Sequence, residues 1–130
     1  MEIGQSFSLT TVASEQIVQD IARVSGDMNP IHLNEEYAKQ SVFGRRIAHG
    51  LFCLNIISKI IGNYLPGGGA ILVSQSFHYQ KPVYIGETIE TVVIVKKILS
   101  GEKYALSTIC RNQKKEVVLE GESIVKWKRG

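Results

Sequence analysis

The run from Gly50 to Leu65, GLFCLNIISKIIGNYL, restricts what this chain can fold into more than any other segment. It is helix-length and apolar on nearly every side, with Asn55, Ser58 and Lys59 as the polar exceptions. Such a helix is normally buried by other elements rather than laid on a surface. The covering material follows it in the chain. After Pro66 and the glycines 67 to 69, the segments Ile71 to Tyr79, Thr88 to Leu99, Tyr104 to Asn112 and Val117 to Trp127 are rich in valine, isoleucine, threonine and aromatics, which is the composition of strands. Pro82, Gly86, Ser100–Gly101 and the polar stretch around Lys114 punctuate them, so the connections are short and the pairing mostly antiparallel. One more short strand is expected at Phe7 to Thr11. Helices early and strands late give an α+β architecture in which a buried helix is wrapped by a curved antiparallel sheet.

Two further helices precede the apolar one. Ile17, Val18, Ile21, Ala22 and Val24 recur at helical spacing between Ser14, a suitable N-cap, and Gly26, placed where a helix would stop. Asn34 followed by Glu35 and Glu36 opens a short second helix that Gly44 closes. The third begins at Ile47 or Gly50 and runs to about Tyr64. A chain of 130 residues has the size of one domain, residues 1–130.

Composition narrows the class of function. Hydrophobic residues at 44% and charged residues at 21% match a folded globular chain and not a disordered one. The net charge of +3 is spread along the chain, with only Arg45–Arg46, Lys96–Lys97 and Lys114–Lys115 as basic pairs. That distribution excludes a nucleic-acid-binding stripe but is compatible with a small polyanionic ligand. No apolar run reaches the ~20 residues of a membrane span, and MEIGQSFSL lacks the basic and apolar regions of a signal peptide, so a cytoplasmic protein is expected. Cys53 and Cys110 show no CxxC spacing and read as buried, reduced thiols.

Chemistry is concentrated between Ser25 and Gly50. Asp27 and His32 lie in SGDMNPIH, where Asn29–Pro30 pushes the backbone out of the helical region and presents the two side chains from a bent loop. A carboxylate and an imidazole so placed can share one water as general acid and base, with no covalent nucleophile. Seventeen residues after His32, His49 and Gly50 open the apolar helix. A glycine there lets a ligand approach backbone N–H groups that have no partner within the helix, and such groups suit an oxygen that becomes negative during reaction. Taken alone, each piece has a plainer reading: Asp27, Asn29 and Pro30 as turn formers, His32 as a half-buried histidine near a cap, Gly50 as a packing glycine. Asp27, His32, His49 and His78 lack HxxxH spacing and a cysteine pair, so no metal is expected. No serine has a GxSxG context, and the GGG at 67 to 69 is not followed by GK[ST], so it is a loop and not a phosphate cradle.

Together, SGDMNPIH, FGRRIAHGLF, the LPGGG loop and YQKPVYIGET resemble the MaoC-like (R)-specific enoyl-CoA hydratases over about Phe7 to Lys128. The resemblance implies a hot-dog fold and a homodimer or higher even oligomer. It implies that Asp27 and His32 carry a water that adds to the β-carbon of a trans-2-enoyl-CoA, that the Gly50 backbone N–H polarises the thioester carbonyl, and that Ser58, His49 and Asn29 support the site. CoA is then the handle of the substrate, with no metal or redox cofactor, and a place in fatty-acid metabolism or polyhydroxyalkanoate precursor supply follows. Arg45, Arg46 and Lys81 are the basic residues nearest in sequence to the site segments and are candidates for the CoA phosphates. The family often has proline where this chain has Arg46, so the approach to the His49–Gly50 turn is expected to be less rigid and more basic. The rival readings are a hot-dog acyl-CoA thioesterase, which would direct water at the carbonyl, and a non-catalytic acyl-CoA-binding module.

Overall fold

In the computed structural model, which describes residues 1–128, strand β1 (Ser6–Val12) leads into helix α1 (Glu15–Ser25). The ends of α1 follow from its caps. The Ser14 hydroxyl oxygen accepts from Ile17 N at 3.2 Å, and Gly26 takes the left-handed conformation at φ 78°, which residues with a Cβ rarely adopt.

The next segment departs from the expected bent loop. Asn29 is indeed held outside the helical region (φ −54°, ψ 124°), but its side chain accepts from Ile31 N and caps a one-turn helix, α2 (Pro30–Leu33). Proline bends the chain before it and starts a helix after it, because its missing N–H is not needed at the first helical position. His32 therefore rides on a helical turn. Helix α3 (Glu35–Lys39) starts from Asn34 as expected but ends before Gly44.

Helix α4 (Leu51–Asn63) takes the later of the two expected starts, with Gly50 as N-cap, while Ile47 forms an isolated antiparallel bridge with Tyr84. The strands β2 (Ile71–Tyr79), β3 (Thr88–Leu99), β4 (Lys103–Arg111) and β5 (Val117–Lys126) follow within a residue or so of the expected bounds. All five strands form one antiparallel sheet in the order β1-β3-β4-β5-β2. Register shifts at Val95/Lys97, Cys110/Arg111 and Leu72/Ser74 add twist and bend the sheet.

Into that curve α4 buries Phe52, Cys53, Ile56, Ile57, Ile60 and Ile61, against Ile89, Val93, Leu106, Val118, Leu119 and Val125 of the sheet. Burying these side chains contributes roughly 1.5–3 kcal/mol each and is the main force placing the helix. The expectation of a helix covered all round needs correction. Leu51, Asn55, Ser58 and Lys59 form an exposed face, with the three polar exceptions of the sequence on it. Apart from that face, this is the hot-dog arrangement expected.

Cys53 and Cys110 are both buried and free. A hydrogen bond with Cys110, and then burial, hold the Cys53 thiol well above its ordinary pKa, so it is no nucleophile. At the sheet edge, β2 is exposed on both faces over most of its length, including Ile71, Leu72 and Val73. Among the described residues, no helix is long and apolar enough to cross a membrane.

Candidate active site

The site begins at the C-terminal end of α1. Ser25 Oγ donates to Ile21 O at 2.6 Å and accepts from Asp27 N at 3.0 Å, which turns the chain out of the helix. Asp27 Oδ1 accepts from Asn29 N at 3.1 Å, which holds the exposed carboxylate on a tight turn. Asn29 in turn caps α2. Each of the three polar residues shapes the loop by accepting from the backbone N–H two residues further on, as short polar side chains do.

His32 is buried, and its Nδ1 lies 2.8 Å from Ile47 O. A carbonyl oxygen only accepts, so Nδ1 carries the hydrogen and Nε2 bears the free lone pair. The same strand-like stretch is tied by Ile47 N to Ile31 O at 3.3 Å and Ala48 N to Val83 O at 2.7 Å. Burial lowers the His32 pKa below its ordinary value, the bond to Ile47 opposes this, the nearby His49 lowers it further, and Asp27 raises it.

His49 is buried at the mouth of α4, its Nε2 3.0 Å from the Asp27 carbonyl oxygen. Its ring stacks on that of His32 with centroids 3.9 Å apart and planes 29° from parallel. Asp27, His32 and His49 bring one potential ligand atom each to within 4.8 Å of one another, a convergence that their spacing did not foretell. The donor types are those that hold a divalent cation, but one nitrogen of each ring is already bonded to a main-chain carbonyl, His32 Nδ1 to Ile47 O and His49 Nε2 to Asp27 O.

Beside His49, Gly50 begins α4 with no side-chain cap and no acidic residue in the first turn. Among the described residues none accepts a hydrogen bond from Gly50 N–H. The helix mouth is thus free to receive an oxygen. A cavity of about 300 Å³ opens beside the two histidines and Gly50, lined among others by His32, Phe43, His49, Gly50, Tyr79 and Lys81, with Asp27 outside its lining. Tyr79 escaped the sequence reading. It closes over Gly50, donating from Oη to Gly50 O at 3.1 Å, and only its place at the end of β2, just before Gln80–Lys81–Pro82, hinted that it would end near the site. A second recess of about 390 Å³ lies between α1 and α4, lined chiefly by Ile17, Ile21, Val24, Leu51 and Ile56; it contains none of Asp27, His32, His49 and Gly50.

The basic candidates divide. Arg46, one-fifth exposed or less, binds Glu35 through Nε at 2.9 Å and Glu15 through Nη2 at 3.0 Å, and Nη1 reaches His32 O at 3.4 Å. Its charge is matched by two carboxylates, which leaves it less free than Arg45 to meet a phosphate. The expectation of a looser, more basic approach to His49 is likewise reversed, because Arg46 ties that approach to α1 and α3. Lys81 is paired with Glu116. Arg45 stacks over the Tyr84 ring at 4.0 Å, and no carboxylate pairs with it among the described residues. Ser58 is exposed, eight residues beyond Gly50 and so about 12 Å along the helix. His78 stands on β2, outside the cluster.

The chain is similar to known proteins along most of its length. Residues 2–117 match the family model described as MaoC like domain. The chain is 39% identical over 126 residues to a 3-hydroxybutyryl-CoA dehydratase from Methylorubrum extorquens, covering 97% of this chain and 80% of the relative. It is 41% identical over 122 residues to an (R)-specific enoyl-CoA hydratase from Rhodospirillum rubrum, covering 94% and 85%. Among solved structures, an (R)-hydratase from Aeromonas caviae involved in PHA biosynthesis superposes with a TM-score of 0.94 at 30% identity, covering 98% of each chain. With a family match over most of its length, and with relatives this similar over four-fifths or more of theirs, the chain belongs to the MaoC-like domain family.

Proposed function

We propose that this protein is an (R)-specific enoyl-CoA hydratase, adding water reversibly to a trans-2-enoyl-CoA to give an (R)-3-hydroxyacyl-CoA. The observation that carries the reading is the convergence of Asp27 and His32 within 4.8 Å, next to an uncapped helix mouth at Gly50. A carboxylate and a neutral imidazole with a free Nε2 are the two acceptors needed to orient one water and take its proton. The water oxygen bonds to the β-carbon, the displaced π electrons reach the thioester oxygen through the α-carbon, and Gly50 N–H faces that oxygen as it becomes an enolate. The pair then returns a proton to the α-carbon, so that one water is added in all. One well-placed donor at such an oxygen is worth roughly 3 kcal/mol in the transition state.

The supporting residues take places of unequal closeness. Asn29 holds the Asp27 turn, and Ser58, on the exposed face of α4 about two turns beyond Gly50, is assigned a supporting place further along the helix. Of the basic residues, Arg45 is assigned to the CoA phosphates, with Lys81 at the cavity wall as a second, half-exposed cation. The reaction calls for no metal or redox cofactor, and a cytoplasmic location suits a CoA-linked step. The chain is further assigned to a homodimer or higher even oligomer, because an edge strand with three consecutive exposed apolar residues is normally paired or covered.

The test is a single assay read two ways. Incubation with a trans-2-enoyl-CoA is expected to remove enoyl absorbance without releasing free thiol. Thiol release would point to the thioesterase reading instead, and binding with neither change would leave only an acyl-CoA-binding module.

A further inference from the structure

We propose that His49 is a positioning residue for the Asp27–His32 pair, fastening the main chain of Asp27 through its ring nitrogen beside the His32 ring. The inference rests on the hydratase reading and deepens it.

Three observations meet at His49. Its Nε2 lies 3.0 Å from the Asp27 carbonyl oxygen, which only accepts, so Nε2 is the protonated nitrogen and the ring is locked in one tautomer. Its face lies on His32 at 3.9 Å, and His32 cannot rotate away because its own Nδ1 is bonded to Ile47 O. Its Nδ1 is buried and has no hydrogen-bond partner among the described residues. A structural histidine normally satisfies both nitrogens, because a buried unpaired polar atom costs about 1–3 kcal/mol. An orphaned nitrogen in the wall of the site cavity is the kind of local cost that persists where position matters more than stability.

The Asp27 turn shows why this bond matters. Asp27 is exposed, and its carboxylate is held only by the Asn29 amide. The bonds from Gly26 N to Ala22 O, from Asp27 N to Ser25 Oγ and from His32 N to Asn29 O close the turn locally, and the tie from His49 is the one that reaches Asp27 from a distant part of the chain, 22 residues away. Without it the carboxylate would drift relative to His32, and a misplacement of about 1 Å can cost about a hundredfold in rate. The stack also bears on His32, whose pKa is held below its ordinary value by burial first and by the neighbouring His49 to a lesser degree. The charged and titratable groups facing His32 are His49, Asp27 and, at its carbonyl, Arg46; those sharing the cavity with His49 are Tyr79 and Lys81, together with the Cys53 thiol.

The variants separate the two contributions. His49→Gln places an amide N–H near the position of Nε2 and keeps the bond to Asp27, whereas His49→Asn is too short and His49→Phe keeps only the ring face. With folding checked by circular dichroism, His49→Gln should retain kcat within about threefold, and His49→Asn and His49→Phe should lose about tenfold or more with KM little changed. Should His49→Phe fail to fold, the Gln and Asn pair carries the comparison. Equal kcat in Gln and Asn, or a loss that appears in KM and not in kcat, would overturn the positioning role. A wild-type protein that hydrates no enoyl-CoA would instead overturn the hydratase reading, so the two failures are distinct.

Discussion

Tyr79 lies directly against Gly50. A Cβ built on the glycine would stand 3.1 Å from the Tyr79 Oη and 3.2 Å from two of its ring carbons. Gly50 is therefore required by close packing as well as by any ligand at its N–H. Alanine at this position must push the ring, and with it the cavity wall, even though alanine is the better helix former. Gly50→Ala should lower kcat/KM about tenfold or more while changing stability by no more than about 1 kcal/mol. Thermal unfolding and turnover on one sample check this. Loss of stability with normal turnover per folded molecule would reduce Gly50 to a packing role.

The water-activating pair gives a second expectation. Asp27→Asn and His32→Ala should each reduce turnover by about a hundredfold or more. Because both groups act on one water, the double variant should cost much less than the product of the singles. Multiplicative losses in the four-way comparison would show that the two residues act separately.

Acidity should also destabilise the fold in a direction set by His32. Its pKa is lowered in the folded state, chiefly by burial, so the unfolded chain binds the proton more tightly. Stability from this residue is fully present above the unfolded value of about 6.5 and declines as pH falls from there toward the lowered folded value. Tm should therefore fall between pH 7.5 and pH 5, and His32→Gln should flatten that part of the profile. An unchanged slope would assign the acid sensitivity to other groups.

The neighbouring arginines should behave in opposite ways. Arg46→Ala breaks its bonds to Glu15 and Glu35 and should cost on the order of 1 kcal/mol of stability, with KM for CoA substrates little changed. Arg45→Ala removes a cation with no carboxylate partner among the described residues and should raise KM and weaken its salt dependence, with kcat kept. Steady-state kinetics at two ionic strengths distinguishes the pair, and the reverse pattern would exchange their roles.

The edge strand predicts association. Sedimentation at micromolar concentration should give a dimer or higher even oligomer, and Leu72→Glu should shift it toward monomer. A fully active wild-type monomer would contradict the assignment.

These arguments drew unequally on sequence. Strand bounds, the Ser14 and Gly26 caps and the α4 start were legible because each depends on residues adjacent in the chain. The Asn29–Pro30 step was read as a loop because the rule applied concerns the residue before proline, while the helix forms after it. The stack of His32 on His49 and the cover of Tyr79 over Gly50 were not legible. Both join residues 17 or more apart, and tertiary packing alone decides them. Arg46 was misjudged for the same reason: its partner Glu15 lies 31 residues away, so a fixed buttress looked like a free cation.

The account stands most directly on the product of one reaction. Purified protein is incubated with a trans-2-enoyl-CoA, and the hydrated thioester is resolved by chiral chromatography. The account predicts an (R)-3-hydroxyacyl-CoA with the thioester intact. An (S) product, free CoA, or unchanged enoyl-CoA in the presence of folded protein would contradict it.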